Sequence, residues 1–270
     1  MKKVKIYSPA KINLNLKVLN FDANFRKHKL KSKVSLLKLS DEIQIMKSKS
    51  LNIKYYDYKK KINLSGDIIK KTISYFDSKY KKKSLFNIDI KKKIPIGYGL
   101  GGGSSNAATT LKFLYSYHNI NPQYFWEDAP NIGSDVLLFI NQYPKMIDGL
   151  KNIKIIKVQK PRWKKIFIII PSKKNLTKKV FLNFKKKEYT HSNILTKNDL
   201  TFSSKALNKE FSLIYDYLCN FKNDFKLFDM SGSGSSIFLS FKSAHVEKSI
   251  INDIHDKFPL LRIEKSYYFG

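Results

Sequence analysis

The sequence predicts an α+β fold of two domains, 1–150 and 151–270, and three observations carry that reading. Two-residue alternation and helical spacing are mixed along the chain without settling into regular β-α-β units. A glycine-rich stretch at 95–108 leads directly into a helical pattern. Past residue 150 the succession of strands and helices starts afresh.

Taken in order, Ile12, Leu14, Leu16 and Val18 alternate with polar residues, which sets one face of a strand against a core. Further strands are expected over 34–39, 43–46, 51–56 and 86–90. Ile68, Ile69, Ile73 and Phe76 fall at helical intervals over 67–80, with Ser65 available as a cap. A second helix is expected over 106–117, where Ala107, Leu111, Leu114 and Tyr115 share a face. The second half reads as strands near 153–158 and 166–170, then helices near 177–184 and 206–221. A strand, a glycine turn, a strand over 236–241, a helix over 244–258 and a last strand over 261–267 follow. The most polar, loop-like stretch is 173–191.

Lysine and arginine outnumber aspartate and glutamate 52 to 21, a net charge of +31 that by itself points to phosphate-bearing partners. The lysines are dispersed, from 60–61 and 81–83 to 91–93, 164–165 and 185–187. A solvated basic surface is therefore expected, with no specific nucleic-acid partner. No apolar run approaches the roughly 18 residues that span a bilayer, and the start leads into alternation and not an apolar signal core. A cytoplasmic protein with no membrane partner is expected. The single cysteine, Cys219, excludes an intramolecular disulfide and a cysteine metal cage, and reads as a core thiol on a helix.

The strongest local signal is Pro95-Ile96-Gly97-Tyr98-Gly99-Leu100-Gly101-Gly102-Gly103-Ser104-Ser105, which holds five of the 11 glycines in the chain. Such a stretch costs backbone entropy and makes sense where main-chain N–H groups must approach a ligand. Running into a helix, it offers aligned amides and a positive dipole end to a phosphate. Ser104 and Ser105 add hydroxyls suited to phosphate oxygens or a magnesium ion, Ser104 being the metal candidate. No Gly-Lys-Ser/Thr ends the stretch, so it is not a Walker loop. Three other places stand out. Lys11 lies between a proline and a strand, Asp135 beside Gly133-Ser134, and a glycine turn at 230–238. Read alone, each has a structural alternative: one lysine among dozens, a helix cap, a hairpin.

Together these segments resemble the GHMP small-molecule kinases in order and spacing, from Ser8 to about Phe241. Pro-Ala-Lys-Ile-Asn-Leu at 9–14 with Gly-Leu-Gly-Gly-Gly-Ser-Ser-Asn-Ala-Ala at 99–108 is similar to one branch, which phosphorylates a cytidine-diphosphate-linked methylerythritol in isoprenoid precursor synthesis. The resemblance implies ATP and Mg2+ as cofactors, with ATP and the small-molecule substrate in a cleft between two domains. It implies that Lys11 and Asp135 are the catalytic pair: Asp135 takes the proton from the substrate 2-hydroxyl, and Lys11 keeps Asp135 ionised. It places ATP on 95–105 and the substrate on Asn13, His28, Gly232, Ser233 and Gly234. Arg26-Lys27-His28 stands where the family has Gly-Tyr-His, so His28 fits a cytosine-contacting position while Lys27 replaces an aromatic. From the residues alone, His28 is equally a surface histidine. Ser134 and Leu137 stand where the family shows Ala and Pro.

Two other readings remain open at this point. One is another GHMP kinase, acting on homoserine or mevalonate. The other is a basic nucleic-acid-binding protein with Tyr55-Tyr56 and Tyr267-Tyr268 as surface candidates.

Overall fold

The computed structural model describes residues 3–24, 26–57, 60–64, 66–150, 152–184 and 196–270. Its strands are β1 (Val4–Asn13), β2 (Lys17–Asp22), β3 (Lys27–Lys47), β4 (Asn52–Asp57), β5 (Lys60–Ile62), β6 (Phe86–Lys92), β7 (Lys145–Gly149), β8 (Asn152–Ile155), β9 (Trp163–Ile170), β10 (Phe225–Met230), β11 (Ile237–Phe241) and β12 (Arg262–Phe269). Its helices are α1 (Ile68–Tyr80), α2 (Gly102–Tyr117), α3 (Phe125–Ile132), α4 (Thr177–Leu182), α5 (Thr201–Leu207), α6 (Lys209–Cys219) and α7 (Ala244–Lys257). Among the described residues, no helix is long and apolar enough to cross a membrane.

The chain packs into two compact units, and neither is a single run of sequence. The first takes Met1–Lys11, Leu36–Ile96 and Gly101–Gln142; the second takes Ile12–Ser35, Gly97–Leu100 and Tyr143–Gly270. One cut near residue 150 therefore does not describe it, although the last crossing, after Gln142, falls close to that point. The reason is backbone pairing over long sequence distances, which periodicity does not register. Leu30 to Val34 of β3 lie opposite Gly149 to Lys145 of β7. Leu16 donates to the Lys197 carbonyl and accepts from Asp199 N, both at 2.9 Å.

In the second unit β10, β11, β9 and β12 form an antiparallel run, and β2 and β7 flank the beginning of β3. Phe167 and Ile169 of β9 face a cluster that includes Phe211, Ile214 and Leu218 of α6 and Ile250 and Ile254 of α7. Cys219, half-buried, packs against this cluster, and burial pushes its thiol pKa up. The expected strand over 12–18 is broken. Lys33 N donates to the Asn15 side-chain oxygen at 2.6 Å and the Ser32 hydroxyl to the Asn15 carbonyl at 2.5 Å, which turns the chain between β1 and β2. The expected helix over 206–221 is also divided. Asn208 leaves helical geometry at φ −140°, closing α5, and its side chain accepts from Phe211 N at 3.0 Å to open α6.

In the first unit β3 pairs with β1 and β6, with Ile43 opposite Ile90 and Ile45 opposite Ile88, all four buried. β4 runs parallel to β6, and β5 antiparallel to β4. The two strands expected at 34–39 and 43–46 are one, β3. α1 buries Ile69, Thr72, Ile73 and Phe76 at helical spacing. Its cap is Asp67, whose carboxylate accepts from Ile69 N at 2.9 Å and Lys70 N at 3.1 Å; the suggested cap, Ser65, lies outside the described residues. α2 begins at Gly102, so the last two glycines, Gly102 and Gly103, lie in its first turn while Gly97, Gly99 and Gly101 precede it.

α3 had no sequence expectation, since it is eight residues long and carries Pro130. It is held by one carboxylate. Asp128 is fully buried and accepts from Tyr75 (2.9 Å), Lys79 (2.5 Å) and Tyr80 (2.6 Å) of α1 and from Tyr115 (2.5 Å) of α2. Burial alone would raise the Asp128 pKa, but the Lys79 ammonium and the tyrosine hydroxyls outweigh it and hold it below the usual value. Asp128→Ala should cost about 3 kcal/mol, the low end of the range for breaking a buried pair because Lys79 remains partly exposed. With the folded pKa depressed, this contribution is present above about pH 4 and lost as pH falls through the folded value. Urea unfolding of the two proteins at pH 7 and pH 3 checks this, with the gap expected to narrow in acid.

Candidate active site

Beneath the start of α2, in the first unit, lies a buried polar floor. Asp41 of β3 accepts from the backbone N–H groups of Lys93 (2.8 Å) and Ile94 (2.9 Å), from Asn106 Nδ2 (3.0 Å), and from the ammonium of Lys92. Lys92 also donates to Asn106 Oδ1 at 3.0 Å, and Asn106 Nδ2 reaches the Ser8 hydroxyl at 3.0 Å. Ser8 donates to the Ser105 hydroxyl at 2.7 Å. Asp41, Lys92, Asn106, Ser8 and Ser105 are all buried. Ser105 is thus engaged on its inner side, while Ser104 is only half-buried.

Above this floor α2 opens without a side-chain cap: its N-cap is Gly101, in left-handed geometry at φ +69°. The first-turn amides lack both an intrahelical carbonyl and a capping side chain, the arrangement that binds anions. Lys11, near the end of β1, packs directly on Gly101. A Cβ placed there would fall 2.9 Å from Lys11 Cγ, 3.1 Å from Lys11 Cε and 3.1 Å from Phe139 Cζ. Burial lowers the Lys11 pKa, and the negative charge of Asp135 opposes that shift. Asp135, half-buried, follows the end of α3 and is touched by the Ser134 hydroxyl at 3.4 Å. The structure therefore brings Lys11, Asp135 and the open end of α2 into one unit. A carboxylate, a partly desolvated ammonium and free amides suit proton abstraction beside a bound anion.

Pro95 and Ile96 end the second stretch of the first unit, and the other expected residues fall in the second unit. Tyr98 and Gly99 are tied to the glycine turn after β10: Ser236 Oγ donates to the Tyr98 carbonyl at 2.7 Å and Ser231 Oγ to that of Gly99 at 3.1 Å. Asn13 N donates to Ser231 Oγ at 3.3 Å, and Asn13 Nδ2 to Ser32 Oγ at 2.8 Å. Gly232 O accepts from Asn198 at 2.8 Å, and the Ser233 and Thr177 hydroxyls lie 2.8 Å apart. Asn13 and the turn that carries Gly232, Ser233 and Gly234 are thereby gathered around the first half of the glycine stretch.

His28 is no bare surface side chain. Its ring stacks on Phe181 (centroids 6.2 Å apart, 22° between planes) and meets Phe21 (5.1 Å) and Phe184 (5.9 Å) edge-on. The sequence did not single out Phe21, Asp41 or Lys92. A polar Asp41 beside the apolar run of β3 was the available signal for one of them. No group of three or more His, Cys, Asp or Glu among the described residues forms a metal site.

Residues 67–140 match the GHMP kinases N terminal domain family. A solved structure of 4-(cytidine 5'-diphospho)-2C-methyl-D-erythritol kinase aligns over 99% of this chain and 100% of that one, with a TM-score of 0.78 at 18% identity. The mevalonate kinase of Methanococcus jannaschii aligns over 98% of both chains, with a TM-score of 0.67 at 17% identity. In sequence, the 4-diphosphocytidyl-2-C-methyl-D-erythritol kinase of Francisella tularensis subsp. novicida (strain U112) is 31% identical over 261 residues, covering 88% of each protein. That of Ureaplasma parvum serovar 3 is 34% identical over 143 residues, 52% of this chain and 54% of that one.

Fold and sequence relatives thus define an ATP-dependent small-molecule kinase with the α+β architecture of the GHMP group. Within that group the chain belongs to the 4-diphosphocytidyl-2-C-methyl-D-erythritol kinase family.

Two glycines at the head of α2 make opposite demands. At Gly101 an added Cβ is strained by φ +69° and strikes Lys11, whereas at Gly103 it meets only Ile68 Cγ2, at 3.9 Å. Gly101→Ala should therefore lose about 1–2 kcal/mol from the left-handed backbone alone. Gly103→Ala should be neutral or gain up to about 1 kcal/mol from helix propensity. Thermal unfolding of the two variants checks this, and equal losses would contradict it.

Proposed function

We propose that the protein transfers the γ-phosphoryl group of ATP to the 2-hydroxyl of 4-diphosphocytidyl-2-C-methyl-D-erythritol, a step of isoprenoid precursor synthesis. The observation that carries this reading is the meeting of Lys11 and Asp135 charges beside the uncapped head of α2. Asp135 accepts the hydroxyl proton as the phosphoryl group arrives, which makes a weak alcohol nucleophile competent. Lys11 lies beside Asp135 and offsets negative charge next to the transferred group. The glycine stretch and the first-turn amides of α2 hold the phosphates through backbone N–H groups. That Gly103 lacks a side chain where the protein leaves room for one fits a ligand at that surface.

Mg2+, when bound, would offset negative charge on the phosphates, and Ser104, half-buried at the head of α2, would hold it. On the acceptor side, Asn13 and the 232–234 turn bind the erythritol portion. His28, whose Nδ1 lies 3.4 Å from the Leu19 carbonyl and whose ring has Phe21 and Phe181 beside it, offers the base its Nε2 and an aromatic surface, which compensates for Lys27 where relatives carry an aromatic. The cytoplasm suits this reading, because ATP and a diphosphate-linked acceptor are charged metabolites that do not cross bilayers unaided.

ADP release from purified protein, Mg2+, ATP and a panel of acceptors tests the assignment. The cytidylylated methylerythritol should be turned over, and homoserine and mevalonate should not; phosphorylation of either of those in its place would move the chain to another GHMP activity. Asp135→Asn keeps size and hydrogen bonding but loses the base, so turnover should fall about 10²–10⁴-fold with little change in ATP affinity. Lys11→Met should fall as well, and the double variant should lose far less than the product of the two. Near-normal turnover in Asp135→Asn would reduce Asp135 to a structural cap.

A further inference from the structure

After β9 the chain leaves the sheet as an exposed segment, 172–174, whose backbone is nevertheless fixed from three directions. The Glu210 carboxylate, in the first turn of α6, accepts from Ser172 N (2.9 Å), the Ser172 hydroxyl (2.8 Å) and Lys173 N (3.0 Å). The Lys173 carbonyl accepts from Asn208 Nδ2 (2.9 Å) and the Ser235 hydroxyl (2.8 Å). The Ser172 carbonyl accepts from the hydroxyl of Tyr98, inside the glycine stretch, at 2.9 Å. Apolar burial does not account for this clamp. What it does fix is the direction taken by the next side chain.

That side chain is Lys174, and it lies along the glycine stretch. A Cβ built on Gly97 would fall 2.9 Å from Lys174 Cδ and 3.7 Å from both Cε and Nζ. The ammonium therefore stands against the main chain of the loop. Glu210, the acid that anchors the segment, is occupied by amides and a hydroxyl, and no acidic side chain among the described residues forms an ion pair with Lys174. A free lysine stem has large rotamer freedom, so one held beside a glycine backbone is aimed by its surroundings.

We propose that Lys174 is a nucleotide-binding residue, a cation for the phosphate chain of the nucleoside triphosphate on the glycine stretch, positioned by the Glu210 clamp. This rests on the reading that 97–106 binds ATP. An ammonium meeting a phosphate oxygen makes a charge-assisted bond, stronger than a neutral one even at a partly exposed site. The same cation chemistry suits the diphosphate of the acceptor, so the test separates the two sources.

Titration calorimetry of ATP, adenosine and CDP against the wild type, Lys174→Ala and Lys174→Arg decides it. In Lys174→Ala the Kd for ATP should rise about tenfold, while adenosine and CDP change little; Lys174→Arg should recover most of the loss. Glu210→Gln should raise the Kd for ATP about threefold in the wild type and have no effect once Lys174 is alanine, because the clamp acts through the lysine. An unchanged Kd for ATP, equal weakening of ATP and adenosine, or weakening confined to CDP each overturns the proposal. Additive effects of Glu210→Gln and Lys174→Ala overturn the positioning role of Glu210. A wild type that binds no ATP removes the underlying reading, whereas a normal wild type with an indifferent Lys174→Ala removes this inference alone.

Discussion

The head of α2 depends on one buried carboxylate. Asp41 takes two backbone amides at the end of β6, the Lys92 ammonium and the amide of Asn106, so it fixes strand and helix against each other at the point where the glycines end. Removing either member of such a pair leaves an uncompensated buried charge, at a cost of about 3–5 kcal/mol. A hydrophobic substitute could fill the same volume, but it would not orient Asn106 or satisfy the amides of Lys93 and Ile94. The polar floor is thus a device for register, and the direction in which the first-turn amides of α2 point follows from it.

The catalytic candidates occupy different mechanical settings. Lys11 is buried and its stem is confined by the bare backbone of Gly101. Asp135 sits on a short turn whose position comes from α3, and α3 in turn is moored through Asp128 to three tyrosines and a lysine. A half-buried carboxylate beside a confined cation fits the proposed acceptance of a proton from the substrate hydroxyl.

What the sequence made legible was local. The glycine stretch, the helix after it and the apolar faces of α1 and β6 follow from spacing and from side-chain chemistry. Lys11 and Asp135 were singled out as a pair only through a resemblance between motifs far apart in the chain, since neither residue differs from its many lysine and aspartate counterparts in composition or period. The parts that escaped depend on long-range partners. Asn208 interrupts a helical pattern because its side chain caps the next helix, and the strand after Asn13 ends because Asn15 and Leu16 pair with residues 33, 197 and 199. The ring cluster around His28 draws Phe21 and Phe181 from segments about 160 residues apart, and Asp41 reads as one of two adjacent acids, Asp41-Glu42, until its partners at 92–94 and 106 are in place.

The interleaving of the two units has a consequence for synthesis on the ribosome. Residues 12–35 emerge early, yet the partners of their unit, β7, the 197–199 segment and the β9–β12 pair, emerge last. The first unit has its strands and all three of its helices once residue 142 is out, whereas the early piece of the second must wait, with Leu16 and Val18 still uncovered, for more than a hundred further residues. A nascent chain of this kind carries a hydrophobic segment in waiting for most of its translation, a natural target for holdase chaperones and a point at which a pause in elongation prolongs exposure.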